Sequence, residues 1–500
     1  MTATSDSGRS HDVTIPGVAD AGLARAAAGV VLPSFAGLEP PSWILDGLAG
    51  GLAGVVLFGG NVGDAGQVTR LCARLRQARD DLIVAIDEEG GDVTRLAHAT
   101  GSPYPGNAAL GAADDTTLTR RVYAALGAEL SRSGVTLDLA PSVDVNTAAD
   151  NPVIGTRAFG SDAQLVTRHS IAAVAGLHDA GVAACVKHFP GHGATRDDSH
   201  LGLPTVDVPL DVLRTRDLQP FAATIAAGVR SVMTAHVRVP ELTGRLPATL
   251  SPAALQTLLR GELGFDGVVV TDALEMRGAR GSRSVADAAA EAFVAGADLL
   301  CLGPRQGLDV VTATVAAVAG AVRDGRVSRA RLDEAGARIA DLKAGTWRAS
   351  ATPAEVDRAW GLDAARAAIR MHGTTAALDR PLVVQLQAAA TIAAGPVPWG
   401  LAPSLPAEHG GEVLDVDHAG MRPAEVLARA AGRSLVVVVR DAHRHPWMMR
   451  MIEALVDARP DTVLIEMGLP VWRPHHRGAY IATYGAARAN AAAAAELLAR

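Results

Sequence analysis

Cysteine is scarce in this chain: Cys72, Cys185 and Cys301 are the only three in 500 residues. Each lies in or beside an apolar segment, so a disulfide framework is not expected and buried free thiols in a reducing compartment are. Aromatic rings make up 3% of the residues, too few for a surface that stacks single-stranded nucleic acid. Positive charge is not in excess either: the formal net charge is −7, which argues against a phosphate-backbone partner. No run of 18 uninterrupted apolar residues occurs, and the N-terminal MTATSDSGRSHDVTIPG lacks a basic region followed by an apolar core. These features predict a cytoplasmic protein that neither spans nor anchors in a membrane. Lysine is the least expected scarcity. Of the 46 Lys plus Arg only Lys187 and Lys343 are lysines, so a lysine in a polar loop stands out.

What the chain has instead is a packed interior, with 49% hydrophobic against 20% charged residues, over a length that suggests two domains. Short β-rich apolar runs recur at Ala28–Leu32, Gly54–Phe58, Leu82–Ile86, Val135–Leu139, Ala183–Lys187, Ser231–Ala235, Gly267–Thr271 and Asp298–Leu302. Alanine-rich stretches of helical period lie between them, among them Ala163–Ala180, Leu210–Gly228, Ala286–Ala295 and Leu308–Arg323. Eight β-then-α units predict an α/β fold, a (β/α)8 TIM-like barrel over 1–345, with an open doubly wound sheet as the alternative. A linker follows at 346–380, with a helix around Pro353–Met371. Strands at Pro381–Leu386, Leu435–Arg440, Thr462–Met467 and Tyr480–Tyr484 and a final helix Ala486–Arg500 predict a small C-terminal α/β domain over 381–500. No G-x-G-x-x-G or P-loop follows a strand, and no cofactor is expected.

A barrel places its chemistry just after the strands. Polar clusters fall there: Asp87-Glu88-Glu89, Asp144-Val145-Asn146, Lys187-His188, His236, and Asp272 with Glu275. The richest is VKHFPGHGATRDDSHLGLP, Val186 to Pro204, where Pro190, Gly191 and Gly193 forbid a helix. In Asp198-Ser199-His200 the carboxylate can accept from one ring nitrogen while the other faces a substrate, a suitable arrangement for proton transfer near neutral pH. Asp272 ends an apolar strand in GFDGVVVTDALEM, where it can serve as a nucleophile or as a helix cap. An ionised Asp and a proton-bearing His together suit displacement at an anomeric carbon. Asp87, Arg95, Arg157, Lys187 and His188 offer donors and acceptors for sugar hydroxyls, or structural ion pairs at a barrel rim. A metal site built from His188, His192 and His200 with Asp197 or Asp198 is a further alternative, although His188 and His192 are not four apart on a helix. A G-x-S-x-G nucleophile elbow is missing.

KHFPGHG followed by DSH, with IDEEGG and NPVIGTRAFG upstream and TDALEM downstream, resembles glycoside hydrolase family 3 in its NagZ-like β-N-acetylglucosaminidase branch. The motifs run in family order from Ile86 to Met276. The resemblance implies a retaining mechanism with Asp272 as nucleophile and His200, paired with Asp198, as acid/base. It also implies that Asp87, Arg95, Arg157, Lys187 and His188 hold a terminal β-linked N-acetylglucosamine (GlcNAc) from peptidoglycan fragments or chito-oligosaccharides. Two positions depart from the pattern: Asp92 replaces the usual Arg after EEGG, and Ala194 the acid often found after GHG. The C-terminal part resembles a shortened version of the family's second domain. Because imidazole does not repel anions as a carboxylate acid/base does, inorganic phosphate is an alternative acceptor, which would make the enzyme a phosphorylase. A sugar-binding barrel without catalysis is the alternative of another class.

Overall fold

In a computed structural model the protein is described over residues 19–345, 357–375, 378–404, 411–418 and 420–499. Eight parallel strands form the first unit: β1 (Val31–Leu32), β2 (Gly54–Leu57), β3 (Ile83–Ile86), β4 (Leu137–Asp138), β5 (Ala183–Phe189), β6 (Ser231–Thr234), β7 (Val268–Thr271) and β8 (Leu300–Cys301). Strands β2 to β7 pair in sequence order and β8 pairs with β1. The circle is completed where the Thr271 N–H donates to the Leu299 carbonyl and the Ala53 N–H to the Val31 carbonyl, at 2.9 and 3.2 Å. Every strand residue is buried, because the strands face side chains within the barrel and helices outside it. This is the (β/α)8 barrel expected from the eight apolar runs.

The strands differ in length from the sequence reading. Within Ala28–Leu32, Val135–Leu139 and Asp298–Leu302 only two residues each pair, as β1, β4 and β8. β5 runs two residues past Lys187, through a register shift between Val186 and Phe189, and so carries the polar pair onto the strand itself.

The second unit is a six-stranded sheet in the order β11-β10-β12-β13-β14-β9, parallel except for β9. Its members are β9 (Arg370–His372), β10 (Leu382–Leu386), β11 (Glu412–Val416), β12 (Leu435–Val439), β13 (Val463–Glu466) and β14 (Tyr480–Ala482), closed by the helix Arg488–Leu498. β9 falls in the stretch read as linker, where it returns antiparallel to edge the second sheet. Of the helix expected at Pro353–Met371, Ala359–Ala368 is helical, and residues 353–356 lie outside the described residues. That helix packs on the barrel helices Asn107–Ala113 and Thr116–Ser133 and on Arg488–Leu498, so it joins the two units by contact as well as by chain. The approach is close enough to require glycine: a Cβ on Gly361 would sit 2.1 Å from the Pro103 carbonyl oxygen.

The C-terminal ends of β10 and β12 face the mouth of the barrel. The loop after β10 brings Ile392 and Ala393 to the barrel pocket, and His443, after β12, donates from Nε2 to the Ala149 carbonyl at 2.9 Å.

Candidate active site

A pocket of about 530 Å³ opens at the C-terminal ends of the barrel strands. Asp87, Arg95, Arg157, Lys187, His188, His200 and Asp272 all line it, and Asp198 backs His200. Side chains from β3, β4, β5 and β7 thus converge from positions up to 185 residues apart, from Asp87 to Asp272.

The floor is a buried charge cluster. Lys187 Nζ donates to Asp87 Oδ1 at 2.5 Å and lies 2.7 Å from Glu89 Oε1. Arg157 grips Glu89 with two parallel bonds, from Nε at 2.9 Å and a terminal nitrogen at 2.7 Å. Arg95 comes within 4.0 Å of Asp87. Lys187 and Glu89 are only 1% and 4% exposed, which for isolated ions would be prohibitive. Burial pushes the Glu89 carboxyl up, but Arg157 and Lys187 outweigh it and hold the group far below the usual carboxylate range. Burial likewise acts against the Lys187 ammonium, and Asp87 and Glu89 outweigh it upwards. Lys187 and Glu89 are therefore charged and paired despite their burial, and the cluster presents fixed donors and acceptors to the pocket.

Asp144 organises the neighbouring loop. It is fully buried and accepts from Ser142 Oγ at 3.0 Å, from His188 Nδ1 at 2.7 Å and from the His192 backbone N–H at 2.6 Å. With Nδ1–H donating to Asp144, His188 turns Nε2 towards Arg157, which donates to it at 3.2 Å. Gly193 lets the loop press on β4's continuation, since a Cβ there would lie 2.0 Å from the Val145 carbonyl oxygen. His192 is held between Thr195 Oγ1 at 2.7 Å and Ser199 Oγ at 3.0 Å, and burial brings its pKa down to about 4. This neutral, buried imidazole ties the root of the loop to Ser199, between Asp198 and His200.

Asp198 Oδ1 accepts from both the backbone N–H and the Nδ1 of His200, at 2.8 and 2.7 Å. Burial raises the Asp198 carboxyl, but the bonds from His200 bring it below its ordinary value. With Nδ1 so occupied, Nε2 is the nitrogen available for proton exchange. Asp272 follows β7 directly, its Oδ1 accepting from the Ala273 N–H at 2.7 Å. Burial opposes its ionisation, yet the facing imidazoles of His236, His188 and His200 draw its pKa below the ordinary value. His236 in turn donates from Nε2 to the Ala273 carbonyl at 3.1 Å and so steadies the strand end that carries Asp272. Glu275 also lines the pocket, accepting from the Gly303 N–H at 3.0 Å; burial, with Asp272 adding repulsion, raises its pKa.

His188, His192 and His200 do not converge as ligands. The ring nitrogens of the first two are taken by Asp144, Arg157, Thr195 and Ser199, and among the described residues no set of three ligand-type side chains comes together.

The second unit completes the wall. Arg95 donates to the carbonyls of Ala393 and Ala394 at 2.9 and 3.2 Å, and Ile392, 56% exposed, lines the pocket together with Leu201, 64% exposed. Two of Arg95's five N–H donors are thereby committed to this loop. Sequence reasoning missed the contribution because the loop acts through main-chain carbonyls and one apolar side chain.

Residues 40–342 match the model of the glycosyl hydrolase family 3 N-terminal domain. The chain belongs to glycoside hydrolase family 3. It is similar to a family 3 β-N-acetylglucosaminidase from Paenibacillus sp. str. FPU-7, whose structure superposes with a TM-score of 0.84 at 33% identity, covering 95% of this chain and 96% of that one. A β-hexosaminidase of Xylella fastidiosa is 39% identical over 276 residues, 54% of this chain and 80% of that protein. The β-hexosaminidase A of Pseudoalteromonas piscicida is 36% identical over 317 residues, 58% of this chain. The chain spans about half of that relative's length, 53%. The match to the Paenibacillus protein extends across both units, so the second sheet is common to the two family 3 structures.

Proposed function

We propose that this family 3 chain is an exo-acting, retaining β-N-acetylglucosaminidase. The observation that carries this reading is one pocket bordered by both Asp272 and the Asp198-backed His200 over the Asp87, Lys187, Glu89 and Arg157 floor. The names of the Paenibacillus, Xylella and Pseudoalteromonas relatives support the sugar class. Terminal GlcNAc on peptidoglycan-derived fragments or chito-oligosaccharides is the substrate proposed. The three free, buried thiols support a cytoplasmic setting.

In the first step an Asp272 carboxylate oxygen attacks the anomeric carbon, the bond to the leaving oxygen breaks, and that oxygen takes the proton from His200 Nε2. In the second, His200 Nε2 removes a proton from water as the water oxygen attacks the same carbon, which frees GlcNAc and restores the Asp272 carboxylate. Asp198 keeps Nδ1 protonated throughout, with Nε2 free as the neutral ring's base between steps, and stabilises the imidazolium that precedes the first step and is restored by the second. Asp87, Arg95, Arg157, Lys187 and His188 fix the ring.

Turnover of p-nitrophenyl β-GlcNAc with and without inorganic phosphate tests this. Free GlcNAc at a rate indifferent to phosphate is expected. GlcNAc-1-phosphate formed at an accelerated rate would replace water by phosphate as acceptor, and no turnover would defeat the reading.

A further inference from the structure

The segment 92–95 meets the second unit at both of its ends. Asp92 Oδ2 accepts from Thr156 Oγ1 at 2.7 Å, and its Oδ1 accepts from the backbone N–H of Ala486 at 3.1 Å. Thr156 immediately precedes Arg157. Ala486 stands just ahead of the helix Arg488–Leu498, whose N-terminus has no side-chain cap of its own, so a carboxylate there also meets a favourable dipole. Three residues on, Arg95 donates to Ala393 and Ala394 in the loop by which the second unit reaches the pocket. Both guanidinium groups that border the floor are thus tied, within three residues, to a contact Asp92 makes or flanks.

We propose that Asp92 is a positioning residue for sugar binding: it clasps the second unit to the barrel and thereby sets Arg95 and Arg157 before the sugar arrives. A long arginine side chain left to order itself on binding charges its lost rotamer freedom against affinity, whereas one seated in advance does not. Asp92 touches no reacting atom, so its removal acts on affinity and leaves the chemical step alone. This inference rests on the assignment of the floor as the GlcNAc site.

The test compares wild type with Asp92→Ala, Asp92→Asn and Thr156→Val, using aryl GlcNAc kinetics and backbone hydrogen exchange. Asp92→Ala removes two hydrogen bonds and should raise KM by at least about 2-fold, the low end for a single lost bond, with kcat little changed. Exchange should quicken in 391–395 and 486–490. Asp92→Asn keeps an oxygen for Ala486 and a partner for Thr156, and should return KM towards wild type. Should Asp92→Ala fail to fold, Thr156→Val, which removes one arm only, should still raise KM in a folded protein. An unchanged KM, or unchanged exchange in both segments, would overturn the clasp. A wild-type protein without turnover defeats instead the functional reading, and the exchange result stands apart from it.

Discussion

Replacing Lys187 with methionine tests the charge cluster directly. Methionine fills much the same volume but removes the ammonium that touches both Asp87 and Glu89. Breaking a buried pair by removing one partner costs about 3–5 kcal/mol, mostly the penalty of the charge left behind. Arg157 still holds Glu89 by two bonds, so the low end, about 3 kcal/mol, applies. A unit of roughly 300 residues unfolds with an entropy on the order of 0.6 kcal/mol/K, which translates to a fall in Tm of about 5 °C. The pH dependence carries a sign. Lys187 is held above its ordinary value, so its stabilisation is complete below about pH 10 and fades only as pH rises further. Glu89 is held below its ordinary value, so its contribution is complete above about pH 4 and is lost as pH falls. The deficit of the variant should therefore be level from about pH 6 to 9 and shrink towards pH 4, where a Glu89 lacking its ammonium takes up a proton. Differential scanning calorimetry of both proteins at pH 7 and pH 4.5, at one scan rate, measures it. A fall below about 1 °C at pH 7, or an equal fall at both pH values, would refute a cluster held by charge pairing.

Asp272→Ala should reduce turnover of aryl GlcNAc to background while the melting profile is kept, and substantial residual activity would remove it as nucleophile. His200→Ala should slow cleavage of unactivated oligosaccharides by about 10²–10⁴-fold and p-nitrophenyl substrates less, because nitrophenolate leaves without a proton; equal losses on both would argue against an acid role. Cys72 and Cys185 are buried with thiols pushed up to about 11 and 12, so the native protein should resist a thiol-titrating disulfide at pH 8 and release three equivalents when denatured. Ile392→Asp should weaken aryl glycosides more than it weakens inhibition by free GlcNAc, and a uniform effect would detach Ile392 from the leaving-group side.

The barrel was legible because each of its strands is buried on both faces and therefore reads as a short continuous apolar run, and because a barrel must present its polar groups where those runs end. Lys187, His188 and Asp272 were found by that rule. β11 and β9 escaped it because they are the two edge strands of the second sheet: Glu412–Val416 has a half-exposed pattern, and Arg370–His372 is exposed at every position. The identity of Asp92 stood out as a departure, but its partner lies 394 residues further along, and no local pattern announces such a distance. Glu89 and Asp144 were visible as acids in the right loops; that one is a counter-ion and the other a loop organiser depends on which cations reach them in space.

The wall contributed by the second unit has a consequence for how this pocket can diverge. Ala393 and Ala394 meet Arg95 through carbonyl oxygens, which every amino acid possesses. The attachment therefore places almost no demand on side-chain identity along the loop, while Ile392, one residue away, lines the pocket with its side chain. Anchor and lining are written in different parts of the same peptide. Mutation can redraw the lining freely while the hold on Arg95 persists, which makes this short loop the natural seat of drift in what the pocket accepts.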